Sequence, residues 1–213
     1  MIDTQTLRVI LVVVISYLLG SLPTAYIVAR QKGVNIFEVG SGNMGATNVI
    51  RALGLWWGVL VWLFDSLKGV FAILIARLIW SENTFAAAAV AAIVAIIGHN
   101  WSLFATMVTG TLRGGKGAAC AFGTMLLIAP LQVIVVMTVV GGFIVALTRY
   151  VSLAVLVMFG LGTAWMIILF TQHQIHLEYM FYSVALASLL LIRFRENIQR
   201  LLQGTERRLG DRA

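Results

Sequence analysis

Long apolar runs, most of them able to cross a bilayer, leave this chain few ways to fold. The first extends from Leu7 to Ala29, and at 1.5 Å per residue it exceeds the roughly 30 Å of a hydrocarbon core. Others fall near residues 55–80, 84–98, 117–129, 131–148, 151–171 and 177–192. Inside lipid every backbone N–H and C=O must find a partner, so such runs fold as α-helices. The expectation is an all-α, polytopic integral membrane protein, a single domain over 1–213. It is a seven-transmembrane-helix bundle with re-entrant or half-helical polar loops on the cytoplasmic side. The third and fourth runs are short and the turn at Pro130 is tight, so a count that merges or drops that pair is the alternative; the parity of the other helices survives either way. A mean hydropathy of +0.97 with 11% charged residues excludes an ordinary soluble domain.

Arg8, a following apolar core and the small residues Ser21, Thr24 and Ala25 also fit a signal peptide. The run is long enough to span and no soluble domain follows it, so it reads as the first helix, bent at Pro23. The lone Cys120 makes neither an intrachain disulfide nor a zinc site and reads as a small core residue.

The net charge of +7 would suggest nucleic acid in a soluble protein, but in a membrane protein its distribution decides. Seven spans place Arg30, Lys32, Arg51, Arg113, Lys116, Arg149, Arg193, Arg195, Arg200, Arg207, Arg208 and Arg212 on one side, 12 of the 15 basic residues. The other side keeps Arg8, Asp3, Glu82 and Glu178, while Lys68 and Arg77 lie within the second helix. Positive loops stay inside, so the N-terminus is expected outside and the basic loops in the cytoplasm, with no nucleic acid as partner.

The polar interruptions all fall on that basic side: GSGNMGATNVIR from Gly40 to Arg51, GHNWSLF and RGGKG between Gly98 and Gly117, TRYVS from Thr148, and RFRENIQRLLQGTE from Arg193. Glycine and amide side chains supply uncovered N–H groups, which suit phosphate oxygens. The plainer readings are that the glycines serve helix packing and that the cations anchor lipid headgroups, the preferred reading for Arg207, Arg208 and Arg212. A lone histidine such as His99 is expected only to hydrogen-bond a carbonyl, and His173 and His176 read as a solvated loop. Asp65 and Lys68 share a helix face at i, i+3 inside a span; the pair either faces the site or only neutralises itself. Gly110, Gly115 and Lys116 fit most of a nucleotide-binding loop, yet Gly117 replaces the hydroxyl residue that would hold magnesium.

Taken in order, these motifs resemble the bacterial acyl-phosphate:glycerol-3-phosphate acyltransferases, the PlsY family. The likeness rests on Gly40-Ser41-Gly42-Asn43 with Gly45-Ala46-Thr47-Asn48 and Arg51, and on Asp65 with Lys68-Gly69. It continues through Gly98-His99 with Gly114-Gly115-Lys116-Gly117, Arg149-Tyr150 with Ser152, and Arg195 with Asn197-Ile198 and Arg200-Leu201. The chain departs from the family pattern at Ser102, where proline is usual, at Arg113, where lysine is usual, and at Phe194, where the third motif carries a histidine. The last departure puts in doubt a mechanism that needs that histidine.

The resemblance implies transfer of a fatty acyl group from acyl phosphate to the 1-hydroxyl of sn-glycerol 3-phosphate, giving lysophosphatidic acid and phosphate. Implied partners are those two substrates, membrane lipids and the enzyme that makes the acyl phosphate; no cofactor is implied, and no carboxylate cluster suggests a metal. Two phosphates held close together need cations. The expected assignment gives Arg51, Ser41, Asn43 and Asn48 mainly to one phosphate, and Lys116 with the Gly114, Gly115 and Gly117 amides to the other. Asn197 and Arg195 close the site, and Gly40, Gly42, Thr47, Asp65, Lys68, Arg149 and Ser152 complete it. Lys116 or a backbone amide stabilises the oxyanion, and His99 or an acceptor phosphate oxygen serves as base. Ser41 is expected to hydrogen-bond rather than attack. The acyl chain enters laterally between helices. A transporter of a phosphorylated metabolite is a rival, but its polar groups should be reachable from both sides. An acyl-thioester-dependent enzyme is closer, although the H-x(4)-D pair typical of those enzymes is absent.

Overall fold

The computed structural model describes residues 3–211 and is all helical among them; the anchor expected at Arg212 lies outside the described residues. Ten α-helices follow in order: α1 Thr4–Ser21, α2 Thr24–Gln31, α3 Ala46–Leu53, α4 Leu55–Ile79, α5 Thr84–Asn100, α6 Leu103–Thr109, α7 Ala118–Ile128, α8 Leu131–Thr148, α9 Val151–Thr171 and α10 Leu177–Leu202. Six segments are long and apolar enough to span a membrane: Thr4–Gln31, Leu55–Ile79, Ser81–Thr109, Leu131–Thr148, Val151–Thr171 and Leu177–Leu202. The expected run at 117–129 is the short helix α7, 11 residues, or about 16 Å.

The break between α1 and α2 falls at Leu22 and Pro23, as the proline requires. It frees carbonyls at membrane depth, and the Lys68 ammonium of α4 donates to one of them, Leu22 O, at 3.2 Å. Lys68 also pairs with Asp65 at 2.8 Å, so an intramembrane charge pair splints a broken helix.

Helix α5 forms the centre of the bundle and packs against α1, α4, α7 and α10. Its alanines Ala87, Ala88, Ala91, Ala92 and Ala95 are fully buried, so this stretch is core. Close approach needs small residues on both sides: a Cβ on Gly20 would collide with the Ala95 backbone, and one on Gly123 of α7 with the Ser66 backbone of α4. Outward, Val135, Val139, Phe143 and Leu147 form an exposed i, i+4 stripe along α8, a lipid-facing surface. Cys120 is buried, with no disulfide partner among the described residues.

After α5 the chain reverses. Ser102 caps α6, accepting from Ala105 N at 3.1 Å and donating to Ser21 O at 2.5 Å. This serine joins α1 to the α5–α6 turn. The returning segment is fixed by Ser102 N donating to Arg113 O and Gly115 N donating to His99 O, both 2.9 Å. Lys116 and the start of α7 are thereby set beside His99.

Candidate active site

A cavity of about 300 Å³ gathers residues from every polar segment named above. One wall is the 40–48 loop, whose turns need positive φ at Gly40 and Gly42. Asn48, 2% exposed, staples this loop from the first turn of α3. Its Oδ1 accepts from Ser41 N at 3.0 Å, and its Nδ2 donates to Ile36 O, Val39 O and Asn43 O at 3.1–3.2 Å. Expected as a phosphate ligand, Asn48 instead has its polar atoms engaged by backbone, and its role is to shape the loop. Asn48→Ala should therefore lower the thermal midpoint in detergent by the equivalent of roughly 2 kcal/mol or more, given about 1 kcal/mol per hydrogen bond; an unshifted midpoint would refute the staple. The loop offers the cavity Ser41 and Asn43, with Thr47 beside them. The Ser41 hydroxyl has no hydrogen-bond partner, histidine included, among the described residues, although His99 lines the same cavity.

Arg51 lines the cavity from α3, and one terminal nitrogen donates to Arg207 O at 3.4 Å. Burial first, and then the Arg207 charge, lower its pKa. Opposite, the Lys116 ammonium donates to Asn197 Oδ1 and lies 5.2 Å from the centre of the Phe194 ring. Burial, followed by repulsion from Arg200, brings Lys116 down to about 8. The N-terminus of α7 opens here too, with Gly117, Ala118 and Ala119 on the wall; first-turn N–H groups without helical partners favour an anion.

The α10 side is organised by an acid that the sequence did not single out. Glu206 accepts from Asn197 Nδ2 at 2.6 Å, Ser152 Oγ at 2.8 Å and Arg200 Nε at 2.8 Å. Burial alone would raise its carboxyl pKa, but the three donors outweigh burial and hold it below the usual carboxylate range. Through Asn197 the chain of bonds reaches Lys116. Glu206 was visible only as one acid amid the C-terminal arginines.

The remaining expected residues separate. Asp65 and His99 line the cavity, whereas Lys68 turns to Leu22. His99 Nδ1 is 3.8 Å from Asp65 Oδ1 and without a hydrogen bond; the carbonyl bond that a lone histidine would make is absent among the described residues. Gly114 and Gly115 lie behind the cavity. A Cβ on Gly114 would strike the Asn100 carbonyl and one on Gly115 the His99 ring, so they permit close packing, and the Gly115 N–H is already spent on His99 O. Gly42 shapes its turn, where a Cβ would lie 3.1 Å from Phe37 O. Arg149 leaves the cavity and clamps the C-terminal segment, donating through Nε and a terminal nitrogen to Leu209 O at 2.8 and 2.5 Å. Arg195 also lies outside it, against a neighbouring cavity. Arg207, read as a headgroup anchor, lines the main cavity; Arg208 instead rests 5.4 Å from the Tyr150 ring centre.

The other end of the cavity is apolar, walled by Trp62 of α4, Phe122 of α7, and Val155, Met158 and Phe159 of α9. Asp65 is paired with Lys68, and Glu206 and Glu196 with Arg200, which among the described residues leaves Arg51, Lys116 and Arg207 without carboxylate partners at the polar end. The space is built for an amphiphile with an anionic head. Among the described residues no group of three His, Cys, Asp or Glu is placed to hold a metal.

Comparison with known proteins agrees with this chemistry. A family model described as glycerol-3-phosphate acyltransferase matches residues 10–204. The glycerol-3-phosphate acyltransferase of Halalkalibacterium halodurans is 41% identical over 94% of this chain and 95% of its own. Glycerol-3-phosphate acyltransferase 1 of Deinococcus radiodurans is 40% identical over 98% and 99%. A crystal structure of PlsY, an integral membrane glycerol 3-phosphate acyltransferase in its glycerol 3-phosphate form, superposes with a TM-score of 0.82 at 35% identity, covering 95% of this chain and 96% of that one. The lysophosphatidic acid form gives 0.80. With a family match over most of its length and relatives this similar, the chain belongs to the glycerol-3-phosphate acyltransferase family.

Proposed function

We propose that the cavity transfers a fatty acyl group from acyl phosphate to the 1-hydroxyl of sn-glycerol 3-phosphate, forming lysophosphatidic acid and inorganic phosphate for phospholipid synthesis. The carrying observation is the division of one cavity into a cationic end and an apolar end. The hydroxyl oxygen bonds to the acyl carbon, the bond from that carbon to the phosphate oxygen breaks, and the hydroxyl proton ends on the released phosphate. Acyl phosphate is already activated, so orientation and charge neutralisation supply most of the catalysis. Arg51, Arg207, Ser41 and Asn43 hold one phosphate; Lys116 and the α7 N-terminus hold the other and stabilise the developing oxyanion. His99, inside the cavity, is the side-chain base, with an acceptor phosphate oxygen as the second route.

The same reading makes α7 a seventh crossing of a single membrane-embedded domain. Helix α8 is 18 residues long and returns to Arg149 beside the site, so the chain has to reach α8's start through α7. The basic loops then face the cytoplasm from the inner membrane, within reach of the enzyme that makes acyl phosphate.

Purified protein given labelled glycerol 3-phosphate is expected to form lysophosphatidic acid with palmitoyl phosphate and not with palmitoyl-CoA. Product from the thioester alone would overturn the donor assignment.

A further inference from the structure

A second cavity, about 190 Å³, lies on the far side of Lys116. Trp101, Ile192, Arg193 and Arg195 wall it, and it shares Asn43, Lys116 and Glu196 with the larger cavity. Three side chains are thus all that the two spaces have between them in common, and one of them is the ammonium expected to meet a substrate phosphate.

Charge in this second space is unbalanced. Lys116, Arg193 and Arg195 face it against one carboxylate, Glu196, which is 65% exposed and 4.0 Å from Arg200. Arg193 is fixed in place: Nε and a terminal nitrogen donate to Gly115 O at 3.2 and 2.7 Å, and its guanidinium lies 5.2 Å from the Trp101 ring centre. Arg195 is exposed and has no hydrogen-bond or ion-pair partner among the described residues. A planar guanidinium with its donors unspent matches the oxygens of a phosphate, and closely grouped like charges gain most from a divalent anion.

We propose that this cavity is a second seat for a phosphate-class dianion, taken up by the inorganic phosphate that acyl transfer releases. The proposal rests on the acyl-phosphate donor assigned above. Phosphate here draws on the same Lys116 ammonium that a substrate phosphate needs in the larger cavity, so its occupancy registers as product inhibition. A lysophosphatidic acid headgroup carries the same chemistry, and Ile192, 55% exposed on the flank of α10, gives a lipid a way in.

The test is initial-rate kinetics of the purified protein in neutral detergent with acyl phosphate and glycerol 3-phosphate, adding inorganic phosphate or lysophosphatidic acid as inhibitor. Arg195→Gln is expected to raise the inhibition constant for inorganic phosphate by at least about fivefold more than it raises either substrate KM, the scale of one charge-assisted contact. Arg195→Lys should fall between Arg195→Gln and the native protein. Weakened inhibition by lysophosphatidic acid alone would assign the seat to a lipid headgroup and overturn the inorganic phosphate assignment. Unchanged inhibition by both, or inhibition constants and KM values rising in step, would remove the second seat. A native protein inactive with acyl phosphate would refute the donor reading before Arg195 enters the comparison.

Discussion

Lys116→Ala is expected to lower kcat/KM about 10³-fold, the upper range for loss of one group that stabilises developing charge, in protein that still elutes as a folded species from size exclusion. The ammonium sits at the α7 N-terminus, touches Asn197 and borders both cavities, so removing it takes away the cation that the proposed function sets on the reacting phosphate. Lys116→Arg should not restore activity, because the fork is larger than the ammonium and is aimed differently. The pH profile gives an independent readout. Burial brings the Lys116 pKa down to about 8, and the catalytic form is the protonated one, present below that value. The kcat/KM of the native protein, which reports the free enzyme, should therefore fall as pH rises through about 8. A profile flat to pH 10, with near-native activity in the alanine variant, would remove Lys116 from the chemistry.

Why Lys116 was legible from sequence and its partners were not comes down to the range of the interactions. A lysine between glycines, on the basic side of an apolar chain, announces itself through local pattern, and helix parity alone brings its loop to the same end as Ser41 and Asn197. The membrane helices are legible for a similar reason, since apolar length constrains the backbone without knowledge of neighbours. Asn48 misled because its type suits phosphate and backbone equally; only the fold of residues 36–43 around it decides that backbone takes all its bonds. The apolar wall was hidden more thoroughly. In helices that are apolar on every side, Met158 facing a cavity and Leu161 facing lipid obey the same pattern. Helix α7 is held short between Gly117, whose φ is positive, and Pro130, while Gly123 and Gly69 let it press against α4, a contact that hydropathy cannot see.

Glu206 shows what long-range bonding adds, and Glu206→Gln carries the second large effect. Its carboxylate takes hydrogen bonds from Ser152, 54 residues away, from Asn197 and from Arg200. Neutralising it leaves the Arg200 guanidinium without its close carboxylate, and turns one of two acceptor oxygens into a donor that must face Arg200, Asn197 or Ser152. With roughly 1.5–3 kcal/mol for each hydrogen bond to a charged group, the loss of even one exceeds what the C-terminal clamp of Arg149 on Leu209 can offset from an exposed position. Activity should fall about 10²-fold, by way of a displaced Asn197 and a Lys116 that has lost its partner, and the thermal midpoint should fall with it. Linkage gives the sign for acid: a carboxyl held below its usual value stabilises the fold fully above the unfolded glutamate pKa of about 4.3. That contribution is lost as pH drops through the lowered folded value, so the difference in midpoint between native and Glu206→Gln protein should be largest near neutrality and shrink in acid. Glu206→Asp keeps the charge one methylene short, and it should recover more of the midpoint than of the activity, because Arg200 can follow the carboxylate more readily than the buried Asn197 can. A glutamine variant with native activity and a pH-independent midpoint difference would mean that Asn197 is positioned without Glu206.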